Sequence, residues 1–149
     1  ARHRIDTTML DSVDGLPEQQ VTIPARDLRT LVSNSSFQRL VQWPSKQLPF
    51  SAFVRKYSRN SKRSLLPWHV DTNAFTINVA LTADEEVEGG RLLVLHDGAV
   101  KAVHRSVGHA TLHDNTVCHA VTQVSRGVRY SLVLFFYDDG PGGQEHFAA

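Results

Sequence analysis

The chain has 149 residues, 41% hydrophobic and 21% charged, with a net charge of +1. That length suits one domain with one core, burying roughly 70% of the unfolded surface. The composition excludes wholesale disorder, collagen and coiled coil. The longest apolar run, Leu132 to Tyr137, is far too short to cross a bilayer, so no membrane partner is expected. The N-terminus lacks the apolar stretch of a signal peptide, and the single cysteine, Cys118, forbids an intrachain disulfide or a cysteine-based zinc site. A reducing compartment, cytoplasmic or nuclear, is the expectation.

In chain order, the first twenty residues are polar and turn-rich around Asp14-Gly15-Leu16-Pro17, an irregular lead-in. Pro24 with Leu28, Leu31 and Val32 predicts a short amphipathic helix over 24–33. Asn34-Ser35-Ser36 interrupts it, Phe37, Leu40 and Val41 restart the period, and Trp43-Pro44 ends it. From residue 50 the pattern alternates, predicting strands near 52–58, 66–70, 74–82, 91–96, 99–103, 109–113, 117–124 and 128–137. Gly89-Gly90, Asp97-Gly98, Asp114-Asn115 and Arg126-Gly127 supply the turns. Eight short strands after a helical preface over 1–49 predict a β-sandwich or barrel with helices packed on one face.

His69-Val70-Asp71 places an imidazole and a carboxylate on one side of a strand, a metal-binding geometry that a hydrogen-bonded surface pair would share. A third ligand from a distant strand separates the two readings. Among eight histidines His119 is the best candidate, because in Val117-Cys118-His119-Ala120-Val121 it would be buried and need a partner. His109 and His113, two apart, form the rival set, whereas His3, His96, His104 and His146 lie in polar stretches or near the ends. Two histidines and one carboxylate on one face of a metal leave positions open, which suits non-haem Fe(II). Further on, Arg129 and Ser131 project to one side of the last strand and could receive a carboxylate. The alternative is an arginine snorkelling from the strand's start.

His69-x-Asp71, His119, then Arg129-x-Ser131 resembles the 2-oxoglutarate and Fe(II)-dependent dioxygenases, in particular their prolyl 4-hydroxylase-like branch. Phe53-Val54-Arg55-Lys56-Tyr57 stands where that branch has a cosubstrate-contacting tyrosine, and Glu88-Gly89-Gly90 stands at its EGG turn. The resemblance covers about residues 50–138 and implies a mainly β fold with flanking helices, the double-stranded β-helix or distorted jelly roll. It implies Fe(II) held by His69, Asp71 and His119. The cosubstrate 2-oxoglutarate would chelate that iron and meet Arg129, Ser131 and Tyr57 at its distal carboxylate. Dioxygen is consumed, succinate and CO2 are released, and ascorbate is an accessory reductant of such enzymes. Asp71 at the carboxylate position favours hydroxylation, since halogenating relatives leave that position empty.

There are departures. That branch often has lysine where Arg129 stands, and the strand Phe75 to Thr82 lacks the tyrosines of the collagen-type enzymes. Asn78 either takes their place toward the cosubstrate or lies on a solvated face. Five cations, Arg55, Lys56, Arg59, Lys62 and Arg63, precede His69 where the resembled family has a mobile lid. They make a protein or peptide substrate with acidic flanks the first expectation and nucleic acid the second. A small metabolite as substrate, or a non-enzymatic cupin-like metal-binding module, stays open beside these, and oligomeric state is not legible.

Overall fold

The computed structural model describes residues 5–43 and 48–138; Pro44, His3 and His146 lie outside them. The strands are β1 (Gln20–Thr22), β2 (Phe50–Ser58), β3 (Leu66–His69), β4 (Phe75–Ala80), β5 (Glu88–Gly89), β6 (Leu92–His96), β7 (Ala99–Val103), β8 (Ala110–Asp114), β9 (His119–Val121), β10 (Val124–Arg126) and β11 (Val128–Phe136). Two helices, α1 (Ala25–Leu31) and α2 (Asn34–Val41), follow β1. Among the described residues no helix is long and apolar enough to cross a membrane.

One sheet has the order β1-β2-β11-β4-β8 and the other β3-β9-β6-β7, with β10 and β5 pairing separately. Every pairing is antiparallel. The order of the larger sheet sets the last strand, β11, between β2 and β4, so the chain's two ends of the β region lie side by side, as a jelly roll requires.

Alternation along β2, β4 and β11 divides the protein into two interiors. Ala52, Ile77, Leu132, Leu134 and Phe136 turn one way and form a core with Ile23, Leu28 and Phe37 of the α1 and α2 region. The opposite face of the same strands carries Arg55, Tyr57, Asn78 and Ser131 into the space between the sheets. A strand buried on both faces reads as a near-continuous apolar run, which is why Leu132 to Phe136 shows no alternation in its chemistry.

Three local expectations differ from the structure. The helical break is at Ser33, whose φ of 67° ends α1. Its hydroxyl accepts the Ser36 amide at 3.3 Å, so Asn34 to Ser36 begin α2 rather than interrupt it. The 117–124 strand is two elements, β9 and β10, because the chain leaves β6 after Val121 to pair with β5. β1, only three residues long, extends the larger sheet from within the segment read as irregular.

The basic run is not a five-cation lid. Arg63 is 0% exposed and forks onto Asp14, Nη1 to Oδ2 at 2.5 Å and Nη2 to Oδ1 at 2.9 Å. It also donates to the carbonyls of Leu16, Pro17 and Leu65. Arg55 is buried against Asp11 at 2.8 Å and against Gln20. These guanidiniums staple the lead-in to the barrel, leaving only Lys56, Arg59 and Lys62 of the run toward solvent. A buried arginine needs such partners, because a desolvated charge without them is costly.

Burial favours the neutral form of Asp14, but the Arg63 fork and the Leu16 amide outweigh it and hold the carboxyl below its ordinary range. The pair's stabilisation is therefore present above the ordinary aspartate pKa and is lost as pH falls through the lowered value. Asp14→Asn is expected to lower stability by about 3 kcal/mol at neutral pH and to flatten the acid limb. Urea unfolding across a pH series measures both.

Candidate metal centre and cavity

β3 and β9 pair so that His69 stands directly across from His119, with ring centroids 4.2 Å apart. Two residues after His69, Asp71 returns to the same side, while Val70 between them is turned outward and exposed. Asp71 Oδ1 lies 3.4 Å from His69 Nε2 and 3.6 Å from His119 Nε2. One ligand atom from each of the three residues falls within 4.8 Å of the others, the spacing of a facial metal site.

The tautomers are fixed by the backbone. His69 Nδ1–H donates to the Pro67 carbonyl at 2.7 Å, and His119 Nδ1–H donates to the Val117 carbonyl at 3.0 Å. Both Nε2 lone pairs therefore face the centre, the arrangement by which outer hydrogen bonds orient ligating imidazoles. Asp71 is divided in the same way. Its Oδ1 faces the two imidazoles, and its Oδ2 accepts from Thr76 Oγ1 at 2.5 Å and His113 Nε2 at 3.0 Å.

The charges follow. Burial opposes ionisation of Asp71, but the bonds from His113, His69 and Thr76 prevail and keep its pKa far below the ordinary range. Burial lowers the pKa of His119, which keeps the ring neutral and its Nε2 lone pair available. At His69 burial is outweighed by Asp71 and the Pro67 carbonyl, raising the pKa. These donors fit a divalent ion: two oriented nitrogens, one carboxylate oxygen, and no competing ammonium or guanidinium among their direct partners.

The centre opens into a cavity whose lining includes Tyr57, Asn78, Ser131, Arg55, Leu92 and Val133. Asn78 thus faces the barrel interior, where its Oδ1 accepts from Arg105 Nη1 at 2.9 Å. Arg129 is 0% exposed, but it has a protein partner that sequence reasoning did not find. Nη1 and Nη2 both reach Asp84 Oδ1, and Nε donates to the Gly90 carbonyl at 2.7 Å. The two glycines of the EGG turn serve the close approach of the 123–124 segment: a Cβ at Gly89 would run into the Gln123 carbonyl oxygen, and one at Gly90 would lie 2.9 Å from Val124 Cγ2. Both glycines have positive φ.

Of the rival histidines, His113 joins the cluster, stacking 4.4 Å from His119, whereas His109 is exposed on the outside. The Thr76↔His113 register partnership brings it there. Its alternation with Thr111 is a sequence signal for an inward face. His104 pairs with Glu85, and His96 with Asp97, at the surface.

No protein-family model and no curated protein matches the chain by sequence. Solved structures do match in shape. A Pseudomonas putida prolyl-4-hydroxylase superposes with a TM-score of 0.64 at 18% identity, over 87% of this chain and 76% of that one. A prolyl hydroxylase from Trichoplax adhaerens, in complex with a hypoxia inducible factor oxygen degradation domain peptide fragment, gives 0.64 at 10% identity over 97% and 75%. A 2OG-Fe(II) oxygenase family oxidoreductase from Burkholderia pseudomallei gives 0.58 at 17% identity over 77% of this chain and 57% of its own length. At such identities the likeness is one of architecture, and the architecture of this chain is the double-stranded β-helix.

Proposed function

We propose that the protein is an Fe(II)- and 2-oxoglutarate-dependent dioxygenase that hydroxylates a C–H bond of a protein or peptide, a prolyl residue included. The observation carrying this reading is the convergence of His69 Nε2, His119 Nε2 and Asp71 Oδ1 in a cavity whose lining also holds the buried Arg55 and, in Asn78, the partner of the buried Arg105. A dicarboxylate needs both ends, a metal for its 2-oxo acid and a desolvated cation for the distal carboxylate.

When bound, iron and 2-oxoglutarate supply dioxygen activation coupled to decarboxylation of the oxo acid to succinate and CO2. The chain's own residues hold that chemistry in place. His69 and His119 present their Nε2 lone pairs, locked by carbonyls behind them. Thr76 and His113 keep Asp71 ionised and leave Oδ1 to the metal. Leu92, Val121 and Val133 line the inner cavity with apolar surface and limit water there. A wider groove of about 580 Å³, lined among others by Leu95, Val103, Leu112 and Thr116, reaches the centre at His113 and His119. Its volume suits a short peptide segment, and the peptide held by the Trichoplax enzyme favours that substrate class.

The test is succinate formation by Fe(II)-loaded protein with 2-oxoglutarate and dioxygen, followed by mass spectrometry of a peptide library for the gain of one oxygen atom. Turnover that requires all three reagents is expected. Protein that binds Fe(II) tightly yet forms no succinate, with or without peptides, would instead be a metal-binding barrel without this activity.

A further inference from the structure

We propose that the polypeptide substrate docks as an added antiparallel strand on the free edge of β8. The residue to be oxidised turns toward the metal centre, and an apolar neighbour sits in a second groove beside α2. This deepens the function proposed above and rests on it.

The two larger sheets end in four strands, β1 and β8, β3 and β7. Three of these edges carry features that discourage further pairing. β1 is only three residues long, β3 contains Pro67, and β7 carries Lys101. β8 is five residues long and has no lysine, arginine or proline; its one carboxylate is at the last position, Asp114.

The register shows which groups of β8 face outward. Val79 is the partner of Ala110, and the next pair is closed by the Ala80 N–H donating to the His109 carbonyl. Bonded and non-bonded pairs alternate along an antiparallel ladder. Thr111 and His113 therefore turn their main-chain groups to Asn78 and Thr76. Ala110 and Leu112 turn theirs away from β4, and both residues are exposed.

A groove lies on each face of this edge. On one face Thr111 and His113 line the 580 Å³ groove that reaches the metal centre. On the other, Ala110 and Leu112 line a groove of about 410 Å³ walled by Leu40, Trp43, Val79, Leu81 and Leu132. Leu112 borders both, so the second groove continues the first across the strand. Trp43 and Leu81 leave much of their apolar surface in solvent there.

An added strand alternates in the same way. Its residues opposite Ala110 and Leu112 bond to them and send their side chains into the α2 groove. The residue between them sends its side chain to the metal side and turns its nitrogen away from β8. A prolyl residue loses no hydrogen bond at that position. Free main-chain groups with a cavity on either face match an extended peptide, which takes affinity from the ladder and specificity from alternate side chains. The apolar walls of the α2 groove select a large aliphatic or aromatic side chain next to the oxidised residue.

The probe is a library of acetylated, amidated heptapeptides with proline fixed at the centre and the other positions randomised, captured on Fe(II)-loaded protein under anaerobic conditions. Captured sequences are expected to carry a large apolar residue next to the proline. The best binder, remade with N-methyl groups on the two residues flanking the proline, should bind about tenfold more weakly or worse. Trp43→Ala and Leu81→Lys should each weaken it by about tenfold and erase the apolar preference, with Fe(II) affinity and melting temperature at wild-type values. Capture of no peptide, absence of that preference, or equal binding of the N-methylated peptide overturns the proposal. So does a wild-type dimer in light scattering that Leu81→Lys converts to monomer, which would give this edge to a second copy. Peptide binding with the expected sensitivity, in a protein that forms no succinate, upholds the strand site and overturns the dioxygenase reading. Succinate formation with N-methyl-tolerant peptide binding overturns the strand site alone.

Discussion

Asp71→Ala abolishes Fe(II) binding and 2-oxoglutarate turnover in a chain that still folds; this is the largest functional effect expected. Asp71 Oδ1 is the only carboxylate oxygen facing His69 Nε2 and His119 Nε2 among the described residues, and Oδ2 ties the centre to β4 and β8 through Thr76 and His113. Loss of an outer hydrogen bond typically costs metal affinity about 10–100-fold, so loss of a ligand with two such bonds should exceed about a hundredfold. His69→Ala and His119→Ala should match it. The fold should survive, since what remains is three imidazoles on strands whose pairing is made by the main chain. His113→Ala discriminates: acting through Oδ2, it should lower Fe(II) affinity by about 10–100-fold, less than the loss of a ligand. A loss equal to that of His119→Ala would make His113 a ligand. Calorimetric Fe(II) titration, with circular dichroism for folding, measures the series.

What could be read from the residues was whatever depends on short-range periodicity. His69 and Asp71 share a side because strand side chains alternate, and His119 in an apolar run required a polar destination inside. The strands β2, β4, β6, β7, β8 and β11 likewise emerge from alternation or apolar runs within a few residues of their observed ends. What escaped depends on partners distant in the chain. Asp14 and Arg63 are 49 residues apart, and nothing local to either shows that they will meet. The run Arg55 to Arg63 reads as five free cations because the acids that take two of them, Asp11 and Asp14, lie far back in the lead-in. Asp84 sits in the acidic turn Asp84–Glu86 beside exposed Glu85 and Glu86, and only the closure of the barrel selects it as the partner of Arg129. The burial of Arg105 was invisible for the same reason, since its stretch is polar and its partners, Asn78 and Asp84, lie 27 and 21 residues back in the chain. Strands of two or three residues such as β5 and β1 carry too little pattern to register at all.

Arg129→Leu is expected to act first on stability, because it strands Asp84 in the interior. The carboxylate would keep the Arg105 amide and the looser contact with Arg91, but Oδ1 would lose both guanidinium nitrogens of its main partner. Breaking one side of a buried ion pair costs about 3–5 kcal/mol, most of it from the uncompensated charge left behind. The double variant Arg129→Leu/Asp84→Asn removes that charge and should regain a large part of the loss, giving a strong coupling energy in urea unfolding. Binding then separates two roles for Arg129. If it only neutralises Asp84 and braces the wall at Gly90, the refolded double variant should still bind 2-oxoglutarate within about tenfold of wild type. If it touches the distal carboxylate itself, the double variant should stay about a hundredfold weaker despite its recovered stability. The first outcome is the expected one, since Arg129 already has a carboxylate and a carbonyl on its donors.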